Sequence, residues 1–420
     1  MARYIINGGQ KLSGSIQVSG NKNAILPCIA ACLLTDQDIT LENVPQIADV
    51  KVLLQILEEL GVKVEKGEHN LKLNAKEVKG SKLPKQLTSK LRASILLVGP
   101  MLSRAGKAEF THPGGDIIGK RTIEPHLTGF RKLGFSIESE DRDYRAYRID
   151  DLKVGLVNIF LDEASCTATE NLIMASVLGK SSVILKNCAK EPQIVDLCNL
   201  LNLMGAQISG VGEATLKIIG VDKLRGAEYR ISSDYIEWVT YAIASSITGG
   251  QIEIQNATLK DMEPVTVAME KMGINLREEN NSIQVSCNKI IAHPKLHTNI
   301  WPGFPTDLMS VFIVLATQAD GVSLMHDWMY ESRMFFADKL ISMGANITIA
   351  DPHRVVIYGP TKLHGRELET PDIRAGMALV LAALVAQGES IIHRAQLIER
   401  GYENVVENLS SLGAKIQKVD

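Results

Sequence analysis

One short phrase recurs six times along the chain: ELGVKV at 59–64, KLGFSI at 132–137, LMGAQI at 203–208, KMGINL at 271–276, SMGANI at 342–347 and SLGAKI at 411–416. The glycines of these phrases stand 68 to 73 residues apart. Each phrase follows an amphipathic stretch such as DVKVLLQILEEL and precedes an alternating one such as VKVEK. The glycine therefore reads as the residue that ends a helix in the left-handed region, where a Cβ would be penalised, and leads into a strand. A fold with this period must be assembled from six copies of one helix-and-strand unit.

A second element keeps the same period. NKNAILPCIAACLL, SKLRASILLVGPML, SCTATENLIMASVL, SDYIEWVTYAIASS, PTDLMSVFIVLATQ and PDIRAGMALVLAAL are nearly continuous apolar runs with polar starts. Helices that are apolar all round belong in a core. KLSG, KLRG and KLHG, beginning at 11, 223 and 362, echo one another as strand starts. At 420 residues the chain is too long for one core. The expected fold is α/β: two inside-out α/β domains, each of three repeats of about 70 residues, helices inside and sheets outside.

Bulk properties narrow the function classes. A formal net charge of −3 with 22% charged residues and no basic tract argues against a nucleic-acid partner. No charge-free run of 18 residues suggests a membrane span, and MARYIINGGQKLSG lacks a secretory pattern, so a cytoplasmic protein is expected. The six cysteines form no CxxC pair, and the nine histidines form no HxH or HExxH pattern, which leaves no metal site in view. Cys28 and Cys32 read as small apolar groups on one helix face.

HPGGDIIGKR, residues 112–121, sets Asp116 among Gly114, Gly115 and Gly119 and then adds Lys120 and Arg121. By itself this reads either as a solvated turn or as a mobile loop handling anions. The starts of the apolar helices carry Lys22 and Asn23, Arg92, Ser165 and Thr167, Asp234 and Glu237, Asp307, and Asp372 with Arg374. Singly, each is a cap or a solvated group. Helix starts expose N–H groups and a partial positive charge, so several of them sharing one surface would attract anions.

SGNKNAILP (19–27), LRAS (91–94), PGGDIIGKR (113–121), EPQIVD (191–196), GFPTD (303–307), ESR (331–333), PDIRAG (371–376) and ERGY (399–402) together resemble the UDP-N-acetylglucosamine 1-carboxyvinyltransferases. These are the enolpyruvyl transferases that open peptidoglycan precursor synthesis. The resemblance runs from the first strand to the last. It implies one domain over 22–231 carrying the mobile loop 112–121, a second built from 1–21 and 232–420, and an active site in a closing cleft between them. It also implies transfer of the enolpyruvyl group of phosphoenolpyruvate to the 3′-hydroxyl of UDP-N-acetylglucosamine, by addition and then elimination of phosphate. No cofactor, metal or membrane is implied, and a monomer is expected.

By the same resemblance, Lys22, Arg121 and Arg400 would hold the phosphate of phosphoenolpyruvate, and Arg333 with Arg374 its carboxylate. Asp307 would take the proton of the sugar hydroxyl, with Asn23 placing the sugar. Asp372 would move protons or orient Lys22. Arg92, Ser165, Thr167 and Glu331 would support the UDP-sugar side. Asp116 stands where many members carry a cysteine; it would deliver a proton to C3 and help discharge product. An ordinary Asp ionises near about 3.9, so remaining protonated near neutrality takes a shift of roughly 3 units, about 4 kcal/mol. Lys120 and Arg121 oppose that shift, while loop closure and the substrate phosphate favour it. A carboxylate also lacks thiolate nucleophilicity, so insensitivity to fosfomycin, the epoxide that alkylates the family's cysteine, is expected.

The sequence departs from the family pattern at Ala48 and Glu163, where lysines are frequent, and at Tyr235 and Val239, where arginine and a small residue are frequent. RTIEPH (121–126) also differs from the commoner proline-containing uridine loop. These changes touch the nucleotide half and leave a changed acceptor open. The rival readings are 3-phosphoshikimate 1-carboxyvinyltransferase, whose glycine-rich signatures are missing, and a non-enzymatic repeat clamp around DNA, which would need a basic inner face.

Overall fold

The computed structural model describes residues 2–115, 118–119, 121–149 and 155–420. The chain forms two compact units. One comprises the described residues of 1–19, 116–120 and 233–420, the other those of 20–115 and 121–232. Each has its own hydrophobic core, and no residue belongs to both.

The six glycines of the repeated phrase all take positive φ, from 85° at Gly134 to 104° at Gly344. They follow the helices Ala48–Glu59, Glu124–Lys132, Pro192–Leu203, Glu263–Lys271, Ala337–Ser342 and Val405–Ser411. At the first of them the Gly61 N–H donates to the Glu58 carbonyl at 3.0 Å and the Val62 N–H to the Leu57 carbonyl at 3.0 Å. That is a Schellman closure, which satisfies two carbonyls the helix end would otherwise orphan. Leu201 and Ala206, Leu340 and Ala345, and Leu409 and Ala414 repeat the longer bond.

The apolar runs become the buried helices. In the second unit these are Lys22–Ala30, Val98–Ala105 behind the 3-10 turn Arg92–Leu97, and Cys166–Ser176. In the first they are Tyr235–Ile247, Met309–Thr317 and Ile373–Val385. Every residue of Tyr235–Ile247 is buried. Cys28 and Cys32 are buried and free, although Cys32 lies in the 3-10 turn Ala31–Leu34 beyond the helix rather than on its face.

Each repeat contributes one small sheet. The third shows the plan: strand Leu156–Phe160 runs parallel to Ser182–Lys186 on either side of the buried helix, and the hairpin Gln207–Ser209 with Thr215–Ile219 adds antiparallel. Other repeats borrow a strand from distant sequence. Arg3–Asn7 lies between Glu389–His393 and Lys415–Val419, Ser13–Gln17 pairs parallel with Gln251–Gln255, and Ala227–Arg230 pairs parallel with Ile39–Glu42. The KLSG, KLRG and KLHG phrases lead into Ser13–Gln17, Ala227–Arg230 and Glu367–Glu369, and bury Leu12, Leu224 and Leu363. No helix among the described residues is long and apolar enough to cross a membrane.

Candidate active site

In the first unit, Asp307 sits on the 3-10 turn Thr306–Leu308 that opens helix Met309–Thr317. Buried Asp327 braces that turn, accepting from the hydroxyls of Thr306 and Thr298. Arg333 Nη2 meets Asp307 Oδ1 at 3.1 Å, while Arg374 Nε and Nη2 reach Oδ2 at 3.2 and 3.0 Å. The guanidiniums are deeply buried, 2% and 5% exposed, yet the carboxylate side chain is 29% exposed. The pair therefore opens at the acid and closes at the bases. Burial opposes the charge on Arg333 and Arg374, but nearby carboxylates, Asp307 foremost, overcome it and raise both pKa values.

Two more guanidinium atoms, Arg333 Nε and Arg374 Nη1, are buried without a hydrogen-bond partner among the described residues. Orphaned charged donors are costly, and their natural complement is an anion. The Tyr402 ring backs Arg374, with the guanidinium carbon 5.4 Å from its centroid. Asp372 caps helix Ile373–Val385, its Oδ1 accepting from the N–H groups of Arg374 and Ala375 at 2.9 and 3.0 Å. That cap fixes the turn that carries Arg374. Arg400 ends the 3-10 turn Ala395–Arg400 and is half-buried.

The second unit gathers the remaining candidates. Lys22 is the first residue of its helix, after Asn21, whose side chain accepts from the N–H groups of Asn23 and Ala24. Lys22 Nζ pairs with Asp49 Oδ2 at 3.0 Å, both side chains at most 10% exposed. Asp49 carries no functional signal in the sequence. An acid in the first turn of an amphipathic helix reads as a dipole partner, and only the fold shows that it faces Lys22.

Arg92 starts its 3-10 turn and donates from Nη2 to the Thr122 carbonyl at 2.9 Å, beside Arg121. The glycine pair of the loop has a packing reason: a Cβ on Gly114 would lie 1.7 Å from the Ser89 carbonyl oxygen, and one on Gly115 would lie 2.8 Å from Arg92 Cβ. On the far side of the loop, a Cβ on Gly119 would meet Glu331 Oε2 at 2.2 Å. Asp116 and Lys120 lie outside the described residues.

Ser165 caps helix Cys166–Ser176 through Ala168 N–H, and Thr167 Oγ1 lies 3.1 Å from His126 Nε2. Burial, helped by Arg92, pushes His126 down to about 3, so its ring is neutral. His126 and its partner Asn171 were also missed. The available signal was Asn171 one helical turn after Thr167, at the end of a polar start that also carries Thr169 and Glu170. Of the departures, Tyr235 and Val239 are absorbed into the core, the Tyr235 ring 5.9 Å from that of Trp301. Glu163 is exposed, and Ala48 opens the helix that carries Asp49. Among the described residues no three His, Cys, Asp or Glu side chains converge as a metal site.

A family model described as EPSP synthase (3-phosphoshikimate 1-carboxyvinyltransferase) matches residues 6–409. The UDP-N-acetylglucosamine 1-carboxyvinyltransferase of Treponema denticola is 49% identical, over 99% of this chain and 99% of its own. Those of Borreliella burgdorferi and Bradyrhizobium diazoefficiens are 45% and 44% identical, each over at least 98% of both chains. Among solved structures, the enolpyruvyl transferase NikO from Streptomyces tendae matches with TM-score 0.89 at 22% identity, over 100% of this chain and 99% of that one. An EPSP synthase from Acinetobacter baumannii matches with 0.78 at 18%, over 100% of both. These last two share the fold with this chain, whereas the relatives at 44–49% identity align with it over almost its whole length. The chain belongs to the EPSP synthase family of carboxyvinyl transferases, together with relatives named UDP-N-acetylglucosamine 1-carboxyvinyltransferase.

Proposed function

We propose that this enzyme transfers the enolpyruvyl group of phosphoenolpyruvate to the 3′-hydroxyl of UDP-N-acetylglucosamine and releases phosphate, in the cytoplasm. The observation that carries the reading is the Asp307 cluster: one partly exposed carboxylate between two buried guanidiniums that still hold N–H groups with no partner among the described residues. A substrate carboxylate fits those donors. As it takes up guanidinium charge, Asp307 is left better able to accept a proton from the sugar hydroxyl.

Addition comes first. Asp307 takes the hydroxyl proton, the sugar oxygen bonds to C2 of the enol ether, and C3 gains a proton from Asp116 to become a methyl group. In the elimination the C2–O bond to phosphate breaks, C3 returns its proton to Asp116 as the double bond is restored, and the proton held on Asp307 leaves with the released phosphate. Lys22, held by Asp49, supplies with Arg121 and Arg400 the positive charge that the departing phosphate requires. Asn23, Arg92, Ser165, Thr167 and Glu331 serve the acceptor sugar nucleotide.

Phosphate release decides the reading. Turnover with phosphoenolpyruvate and UDP-N-acetylglucosamine, and none with shikimate 3-phosphate, is expected; the reverse pattern replaces it with the rival acceptor. The assignment of Asp116 makes a separate prediction. Fosfomycin leaves the native enzyme active, because a carboxylate is a poor nucleophile toward the epoxide, and Asp116→Cys becomes irreversibly inactivated with one adduct by mass spectrometry. An adduct on Asp116 itself would contradict it.

A further inference from the structure

His126 and Asn171 are almost wholly buried, at 1% and 0% exposure, and they join two backbone groups to one half-buried hydroxyl, that of Thr167. Gly99 N–H donates to Asn171 Oδ1 at 2.7 Å, and Asn171 Nδ2 donates to the Ile95 carbonyl at 2.7 Å. A backbone donor on one side and a backbone acceptor on the other leave the amide a single orientation. Its Nδ2 also lies 2.9 Å from His126 Nδ1, so that ring nitrogen must accept. A neutral imidazole that accepts at Nδ1 carries its proton at Nε2, which is 3.1 Å from Thr167 Oγ1. Thr167 Oγ1 therefore accepts a hydrogen bond from His126, which leaves its own O–H available to donate elsewhere. All of these residues lie in one unit.

We infer that His126 is a positioning residue: through the buried Gly99–Asn171–His126 relay it fixes the Thr167 hydroxyl as an outward donor to a phosphoryl oxygen of the nucleotide-sugar acceptor. The inference rests on the proposed function for the identity of that acceptor. A threonine hydroxyl has one donor and two acceptor lone pairs; with one lone pair taken by His126 its donor capacity is intact and its acceptor capacity halved, which favours an anionic oxygen over a donor group at the same place. Burial, which pushes His126 down to about 3, keeps the relay in one protonation state through neutrality. Thr167 and Asn171 stand one turn apart on helix Cys166–Ser176, so a single buried ring can bridge both.

Steady-state kinetics and NMR test this together. Thr167→Val keeps the side-chain shape and is expected to raise the KM for UDP-N-acetylglucosamine about tenfold, the loss of one hydrogen bond to a charged group, with kcat and the KM for phosphoenolpyruvate within about twofold. Thr167→Ser restores it. His126→Phe raises the same KM by about three- to tenfold in the native background and adds nothing in the Thr167→Val background, because its effect passes through that hydroxyl. In the intact enzyme, nitrogen-15 histidine spectra show one ring that stays neutral and protonated at Nε2 from pH 5.5 to 8.5, and that signal is absent from His126→Phe. An unchanged KM in Thr167→Val, additive effects in the double variant, or an Nδ1-protonated or titrating ring overturns the inference. Absence of turnover with UDP-N-acetylglucosamine in the native enzyme instead overturns the proposed function.

Discussion

Three guanidinium nitrogens reach the Asp307 carboxylate, and two of them come from Arg374. A lysine at 374 would keep the charge and lose the planar fork that serves Asp307 and an incoming carboxylate at once. Arg374→Lys should lower kcat/KM for phosphoenolpyruvate by about 100-fold while moving the KM for the sugar nucleotide less than about threefold, measured by phosphate release. An equal loss on both substrates would mean that Arg374 serves the whole site rather than one carboxylate. Elsewhere, burial, with Asp234 beside it, pushes Glu237 up to about 8 despite two hydrogen bonds from Ser19. Its unfolded value is lower, near about 4.3. The fold therefore holds a proton that the unfolded chain releases, and this stability is complete below the unfolded value and fades as pH rises through the folded one. Denaturant titrations from pH 5 to 8 should show the native enzyme losing stability relative to Glu237→Gln, by up to about 1.4 kcal/mol per pH unit. Parallel curves would place the proton elsewhere. Residues of this kind were only half legible in sequence. Asp307, Arg333 and Arg374 are singled out by their motifs and meet in the fold, whereas Asp49, His126 and Asn171 face partners that only packing supplies.

The helix terminators were readable because their physics is local. A glycine after an amphipathic run needs no tertiary partner to declare itself, and all six adopt the left-handed conformation. Their surroundings differ, which separates two costs. A Cβ at Gly205, with φ at +100°, meets nothing within 4 Å, while one at Gly273, with φ at +88°, would lie 2.2 Å from the Lys289 carbonyl oxygen. Gly205→Ala should cost about 1–2 kcal/mol from backbone strain alone. Gly273→Ala carries that strain plus displacement of a backbone carbonyl and should cost at least about 1 kcal/mol more, read from urea midpoints. Equal costs would show that the Lys289 segment yields freely. Strand borrowing was less legible. The pairing of Arg3–Asn7 with strands near residue 390 and beyond leaves no local trace, since a strand's own alternation names a buried face and not a neighbour.

Two separate cores in one chain make stability a property of each unit. The first is packed around helices such as Met309–Thr317 and the second around helices such as Cys166–Ser176, against which Glu124–Lys132 lies, with Phe312 and Phe130 each 0% exposed in their respective cores. Truncating a buried phenylalanine removes its transfer free energy and leaves a cavity, together about 3–5 kcal/mol. Because no core residue is shared, that loss falls on one unit's own unfolding. Units of roughly 200 residues should drop by about 2–4 °C per kcal/mol, so Phe312→Ala and Phe130→Ala should each lower one calorimetric transition by about 6–20 °C and leave the other within a few degrees. The strand exchanges bear on the same experiment: Arg3–Asn7 and Ser13–Gln17 pair only with strands of the unit that Phe312 stabilises. Hydrogen exchange at those N-terminal strands should therefore speed up in Phe312→Ala and stay unchanged in Phe130→Ala, although residue 130 is far nearer in sequence. A single endotherm lowered alike by both variants, with uniform loss of exchange protection, would show that the repeats melt as one cooperative body.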